Sequence, residues 1–199
     1  MEKYKTFTKD DLTLKIYYDE SAESPRDWDN LGTMIYKNSR YTLGDEQSDF
    51  NGSFEEFRDY LIKERKAVII MPIFLYDHSG ITISTTQTYP YNCRWDSSPV
   101  GYIFATKEDI RENFGVKKVT KKLLETTKRI LQGEIDTFDL YIRGEVFGFQ
   151  LMKIKKCKEC DTETEEILDS CWGFFGDNLK ENGIIDNADI KDFDKWVEK

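Results

Sequence analysis

The sequence predicts an α+β fold: a largely antiparallel sheet with one long amphipathic helix and two or three shorter helices packed on it. Three observations carry this. Segments with the two-residue alternation of half-buried strands come in neighbouring pairs joined by turn residues. Helical periodicities occur singly between those pairs, and nowhere do strand and helix alternate in the regular way that builds a parallel βαβ sheet. With 199 residues, 39% apolar and 14% aromatic, the chain is expected to form one domain, 1–199, whose core needs no disulfide or metal staple.

Residues 12–18, Leu-Thr-Leu-Lys-Ile-Tyr-Tyr, set Leu12, Leu14 and Ile16 on one side and read as the first strand. Residues 19–29 are rich in Asp, Glu and Ser and hold Pro25, a loop composition leading into a second apolar segment, Leu31 to Tyr36. Tyr41 to Asn51 reads as a polar loop. Ser53 and Glu56 have the spacing of a capping box, in which hydroxyl and carboxylate each satisfy a free amide at a helix start, and Phe54, Phe57, Leu61 and Ile62 extend that helix to about Lys66.

The apolar run Ala67 to Tyr76 and the alternating Ile81 to Thr86 flank Asp77-His-Ser-Gly80, which has the composition of a hairpin turn. Val100 to Phe104 reads as the next strand, Thr106 with Asp109 as a second capping box, and a short helix ends at Phe114. Val119, Leu123, Leu124, Thr127, Ile130, Leu131 and Ile135 repeat at helical spacing, so 117–139 is expected to be the longest helix. Glu145 to Ile154 and Glu166 to Phe175 read as a final hairpin with a charged tip. The tail holds Ile184, Ile185, Ile190, Phe193 and Trp196, enough apolar material to dock a short helix.

The net charge is −9, divided as −5 over the first hundred residues and −4 over the rest, and this argues against direct DNA or RNA binding, which calls for a basic footprint. A partner with a basic surface is the expected counterpart. The longest uncharged apolar run, Ala67 to Tyr76, contains Pro72 and is about half of what a membrane-spanning helix needs. Without an apolar leader at the N-terminus, the chain is expected in the cytoplasm, with its four cysteines as thiols.

No residue pattern closes on a known reaction, and neither an EF-hand, a P-loop nor a dinucleotide fingerprint is present. The lone histidine, His78, stands beside Asp77 in the hairpin turn, where an imidazole is either an ordinary turn residue or a weak catalytic or metal-binding candidate. Asp77, His78 and Asp96, with Asp27 and Asp45, are the loop groups from which a divalent-cation site would be drawn; no other cofactor is expected. Cys157 and Cys160 have the spacing of a zinc knuckle but lack a second pair nearby. As binding candidates, Trp28, Asp29, Tyr41, Asp45 and Trp95 combine aromatic anchors with acidic loops. Glu163, Glu165 and Glu166 form an acidic run that either imitates phosphates or simply solvates a surface.

Several segments together resemble a family of uncharacterised proteins carried by phages and other mobile elements: Ser24-Pro-Arg-Asp-Trp-Asp-Asn-Leu-Gly-Thr-Met34, Tyr41-Thr-Leu-Gly-Asp45, Leu75-Tyr-Asp-His-Ser-Gly-Ile-Thr-Ile-Ser84, Cys93-Arg-Trp-Asp-Ser-Ser-Pro-Val-Gly-Tyr102, Leu140-Tyr-Ile-Arg-Gly-Glu-Val-Phe-Gly-Phe149 and Asp169-Ser-Cys-Trp-Gly-Phe-Phe-Gly176. The resemblance spans most of 14–176, brings no established activity or catalytic residue, and leaves the Cys157 knuckle outside. It implies a setting in which small acidic proteins block host defences, of the anti-CRISPR or anti-restriction type, by occupying the nucleic-acid groove of a defence effector. The expectation is therefore a non-catalytic binder. The alternatives are a small cation-dependent enzyme or ligand-binding protein using the Asp77, His78 and Asp96 loops, and a structural or assembly protein of the parent element.

Overall fold

The computed structural model describes residues 1–86, 97–156 and 163–199. In chain order its elements are β1 (Lys3–Lys9), β2 (Leu12–Tyr18), β3 (Thr33–Tyr36), β4 (Glu46–Gln47), α1 (Phe54–Lys63), β5 (Ala67–Asp77), β6 (Ile81–Ser84), β7 (Ser97–Thr106), α2 (Lys107–Phe114), α3 (Lys121–Ile142), β8 (Val146–Lys156), β9 (Glu163–Phe175), α4 (Ile184–Asn187) and β10 (Val197–Glu198). This is an α+β fold with mostly antiparallel sheets and one helix longer than the rest. The strands fall into two five-stranded sheets, and the chain divides into two compact units, Met1–Glu23 with Gly144–Lys199 and Ser24–Arg143, the second inserted in sequence between β2 and β8.

In the first unit the strand order is β10-β1-β2-β8-β9, with every neighbouring pair antiparallel. β2 has the bounds its alternation predicts, but it is not the first strand: β1 precedes it. In β1, KYKTFTK, a register irregularity between Lys3 and Lys5 breaks the two-residue period, so Tyr4 and Phe7, three positions apart, both pack on the core. Asp10 makes the turn into β2 at φ 53°, a left-handed conformation that Asp tolerates better than most residues. Leu14, Ile16, Phe147 and Phe149 form the buried face, and Leu179, Ile184, Ile185 and Ala188 of the tail cover it, as the tail's apolar spacing predicts. Trp172 lies over Gly148, where an added Cβ would stand 2.0 Å from the indole, so this tryptophan packs on the sheet.

In the second unit the order is β4-β3-β7-β5-β6, antiparallel except for the β3–β4 pair. The segment read as a polar loop, 41–51, contains β4, whose two residues are too few to show a periodicity. β7 is central and buried on both faces. Tyr102 and Phe104 meet Phe57 and Leu61 of α1, whereas Ile103 and Ala105 share a core with Leu131, Ile135 and Phe138 of α3. Burying each such side chain is worth about 1.5–3 kcal/mol, so a strand apolar at consecutive positions is what two helical layers require.

Both capping boxes form, Ser53 with Glu56 and Thr106 with Asp109. The first helix stops at Lys63, short of Lys66, which adopts φ 57°. The long helix begins at Lys121 because Thr120 caps it by accepting from the Leu123 amide, and it runs on to Ile142, beyond the expected 139. Among the described residues no helix is long and apolar enough to cross a membrane. Charge is partitioned by the fold in a way that halving the sequence hides. The first unit holds 12 basic against 20 acidic residues, −8, and the second 17 against 18, −1.

Candidate functional site

The sharpest polar construction in the second unit begins at Ser24. Its hydroxyl accepts from the Arg26 amide at 3.2 Å, Pro25 presets the backbone, and the Asp27 amide donates to the Ser24 carbonyl at 2.9 Å, which together close a short 3-10 turn. The Asn30 side-chain amide then donates to the Pro25 carbonyl at 2.8 Å and to the Trp28 carbonyl at 3.0 Å, locking residues 25–30 from within.

Arg26 points inward and holds this loop from beneath. Its guanidinium donates twice to Asp45, at 2.8 and 2.7 Å, once to Glu134 at 3.1 Å and once to the Gly32 carbonyl at 2.7 Å. Glu134 also accepts the Leu31 amide at 2.9 Å, and Asp45 accepts the Met34 amide at 2.7 Å. The side chains of Arg26 and Glu134 are only 6% and 10% exposed. Burial acts to lower the Arg26 pKa, but the hydrogen bonds and charges of Asp45 and Glu134 outweigh it and hold the group above its ordinary value. Gly32 is required here because an added Cβ would approach side-chain atoms of Ile103 and Leu131 to 2.9 Å.

Outward, the same loop presents Asp27, Trp28 and Asp29, with Trp28 49% exposed and both aspartates exposed. Beside it opens a cleft of about 520 Å³ whose lining includes Arg26, Asp27, Asp45, Phe138, Tyr141 and Ile142. The Phe138 and Tyr141 rings are near parallel, 15° apart with centroids at 6.0 Å. The Asp27 carboxylate has no hydrogen-bond or ion-pair partner among the described residues.

Comparison with known protein families, curated proteins and solved structures finds no match for the chain.

A second cleft of about 430 Å³ lies along α3 and is lined by Thr85, Gln132, Asp136, Asp139 and Arg143 among others. Its polar groups are already spent on one another. Thr85 donates to Gln132 at 2.7 Å, Gln132 to Asp136 at 2.7 Å, and the buried Asp139 accepts from the Thr82 hydroxyl, the Ile83 amide and Arg143. This set ties β6 to α3.

The remaining sequence candidates divide three ways. Asp77 accepts from the Tyr41 hydroxyl and from Arg40, both at 3.2 Å, with the guanidinium 4.9 Å from the tyrosine ring centroid. Burial first, and then the bond to Asp77, raises the pKa of Tyr41. His78 is exposed in the turn, its ring centroid 6.2 Å from that of Tyr76. Among the described residues no group of three or more His, Cys, Asp or Glu side chains is placed to hold a metal ion. Glu163, Glu165 and Glu166 lie on β9 in the first unit and are exposed, but Lys15 bonds Glu165 at 2.6 Å, Lys155 bonds Glu166, and the register sets Glu163 opposite Lys156. Trp95, Asp96, Cys157 and Cys160 lie outside the described residues.

Sequence reasoning passed over Arg26, Glu134, Phe138 and Tyr141. Arg26 did carry a signal, as the one cation in a stretch of acids and directly after a proline. Glu134 carried another, four residues from Ile130 and three from Leu131, on the border of the apolar stripe.

Proposed function

We propose that this protein is a non-catalytic binding protein for a partner with a basic surface, engaged through the Asp27-Trp28-Asp29 loop. The observation that carries the reading is a half-exposed tryptophan between two exposed carboxylates, on a loop fixed by internal hydrogen bonds and by a buried arginine. Tryptophan is a leading interface anchor, and a loop already held in shape loses little entropy on binding. The net charge of −9 steers a basic partner toward the protein, an attraction that salt screens.

The resemblance to phage and mobile-element proteins supports a host nucleic-acid-binding defence effector as that partner, with the acidic protein blocking its groove. The test is a binding series between the purified protein and purified defence effectors at low and high salt, with duplex nucleic acid as competitor. A complex that weakens with salt, is displaced by the duplex and is lost in Trp28→Ala is the expected result. A complex indifferent to salt and duplex alike would remove the groove-blocking reading.

A further inference from the structure

The cleft beside the loop has a composition that selects its occupant. Among the described residues its one cation, Arg26, is buried and offset by two carboxylates, Asp45 and Glu134, and the Asp27 carboxylate, without a partner among them, lies on the lining, so their balance is negative. An anionic ligand is disfavoured there, and no group of three His, Cys, Asp or Glu among the described residues suits a bare metal ion. The lining adds Tyr141, ring-parallel to Phe138, and the apolar flank of Ile142. An acidic rim, an aromatic wall and an apolar flank are complementary to a planar organic cation on a short apolar stem. The planar guanidinium lies flat on aromatic faces and pairs with carboxylates two bonds at a time, whereas a lysine ammonium meets a ring or a carboxylate only as a point charge. At about 520 Å³ the cleft is within the range of small-ligand sites and exceeds what one side chain fills, leaving room for bridging water.

We infer that this cleft receives an arginine side chain of the basic partner, with Asp27 as its counter-ion and Tyr141 as its stacking surface. The inference rests on the binding reading above and names the group that is recognised. A solvent-facing carboxylate adjacent to Trp28 makes loop and cleft one continuous contact, with the tryptophan as the apolar anchor and the cleft as the charge-specific socket.

The experiment is a titration of the ¹⁵N-labelled full-length protein with N-acetyl-arginine methylamide, and with the lysine and norleucine equivalents, followed by backbone NMR shifts. Saturable shifts at Asp27, Gly44, Asp45 and Tyr141 are expected, strongest for arginine and absent for norleucine. Asp27→Asn, an exposed change that leaves the fold intact, should weaken arginine binding about tenfold, the loss of roughly one charge-assisted pair. Tyr141→Leu, checked for folding by its melting curve, should erase the preference for arginine over lysine. No saturable shift at these amides, equal shifts from norleucine, or undiminished binding in Asp27→Asn would overturn the inference. If the probe fails while a salt-sensitive, Trp28-dependent complex persists, only the arginine socket is removed. If the probe binds as expected and no basic partner is captured, the socket stands and the partner reading is what falls.

Discussion

The loop 24–30 and the β8–β9 arm are both acidic stretches in the sequence, yet the fold treats their carboxylates in opposite ways. Around the arm, acids meet lysines of the same sheet: Glu166 pairs with Lys155 of the adjacent β8, Glu165 with Lys15 of β2, and Asp11, in the turn before β2, with Lys153 at the base. These are solvated pairs on a strand exposed from Glu163 to Ser170, and each is worth about 0–1 kcal/mol. In the loop, the countercharge goes inward instead. Arg26 is consumed by Asp45 and Glu134 beneath the surface, which leaves Asp27 and Asp29 projecting without a compensating cation among the described residues. A local excess of acid is therefore a poor guide to a binding surface, and the position of the countercharge is a better one.

The largest test of that contrast is Arg26→Met. It strands the nearly buried Glu134, and the loss of stability should reach about 3–5 kcal/mol in denaturant unfolding, whereas Lys155→Met on the arm should cost less than about 1 kcal/mol. Equal effects would mean that the two ion clusters are physically alike. Next comes Trp28→Ala. Its cost in stability should stay well below that of Arg26→Met, while partner affinity drops by about 2 kcal/mol, roughly thirtyfold. Ile167→Ala, on the equally exposed arm, should leave affinity where it was; if it matches the tryptophan change, the arm is the contact surface.

The Glu46–Arg65 pair, two hydrogen bonds at 2.8 and 2.9 Å between half-exposed groups, is intermediate. The bonds from Arg65 hold the Glu46 pKa below its ordinary 4.5 against the opposing effect of burial. A carboxylate depressed in the folded state stabilises above the unfolded value, and that contribution disappears as pH falls from 4.5 through the lower folded value. Glu46→Gln should accordingly flatten the acid limb of the stability curve, by about 0.5 kcal/mol once solvent screening is allowed for. The smallest change is expected from Glu165→Gln, within about 0.5 kcal/mol at low salt and nothing measurable at high salt.

How much of this was legible in the sequence follows the range of the interactions involved. The two capping boxes, the bounds of β2, the hairpin turn with Ser79 at φ 57° and Gly80 at φ 141°, and the docked tail all depend on residues within a few positions of one another. Periods of 2 and 3.6 and cap spacings record such local physics directly. β1 escaped because Tyr4 and Phe7 stand three positions apart across a register irregularity and so show no two-residue period, and β4 because two residues carry no period.

The sequence by itself thus determined the α+β class, the places of the helices, the two hairpins β5–β6 and β8–β9, and the residue types available at the loop. Tertiary structure alone decided that the strands form two sheets, that −8 of the charge resides in one unit, and that Arg26 meets partners 19 and 108 residues away. The reason is that an ion pair or a cleft is a property of distances, and folding brings together groups whose separation along the chain leaves no trace in local periodicity. Whether a carboxylate is spent on a neighbour or left to meet a partner is settled only when those distances are.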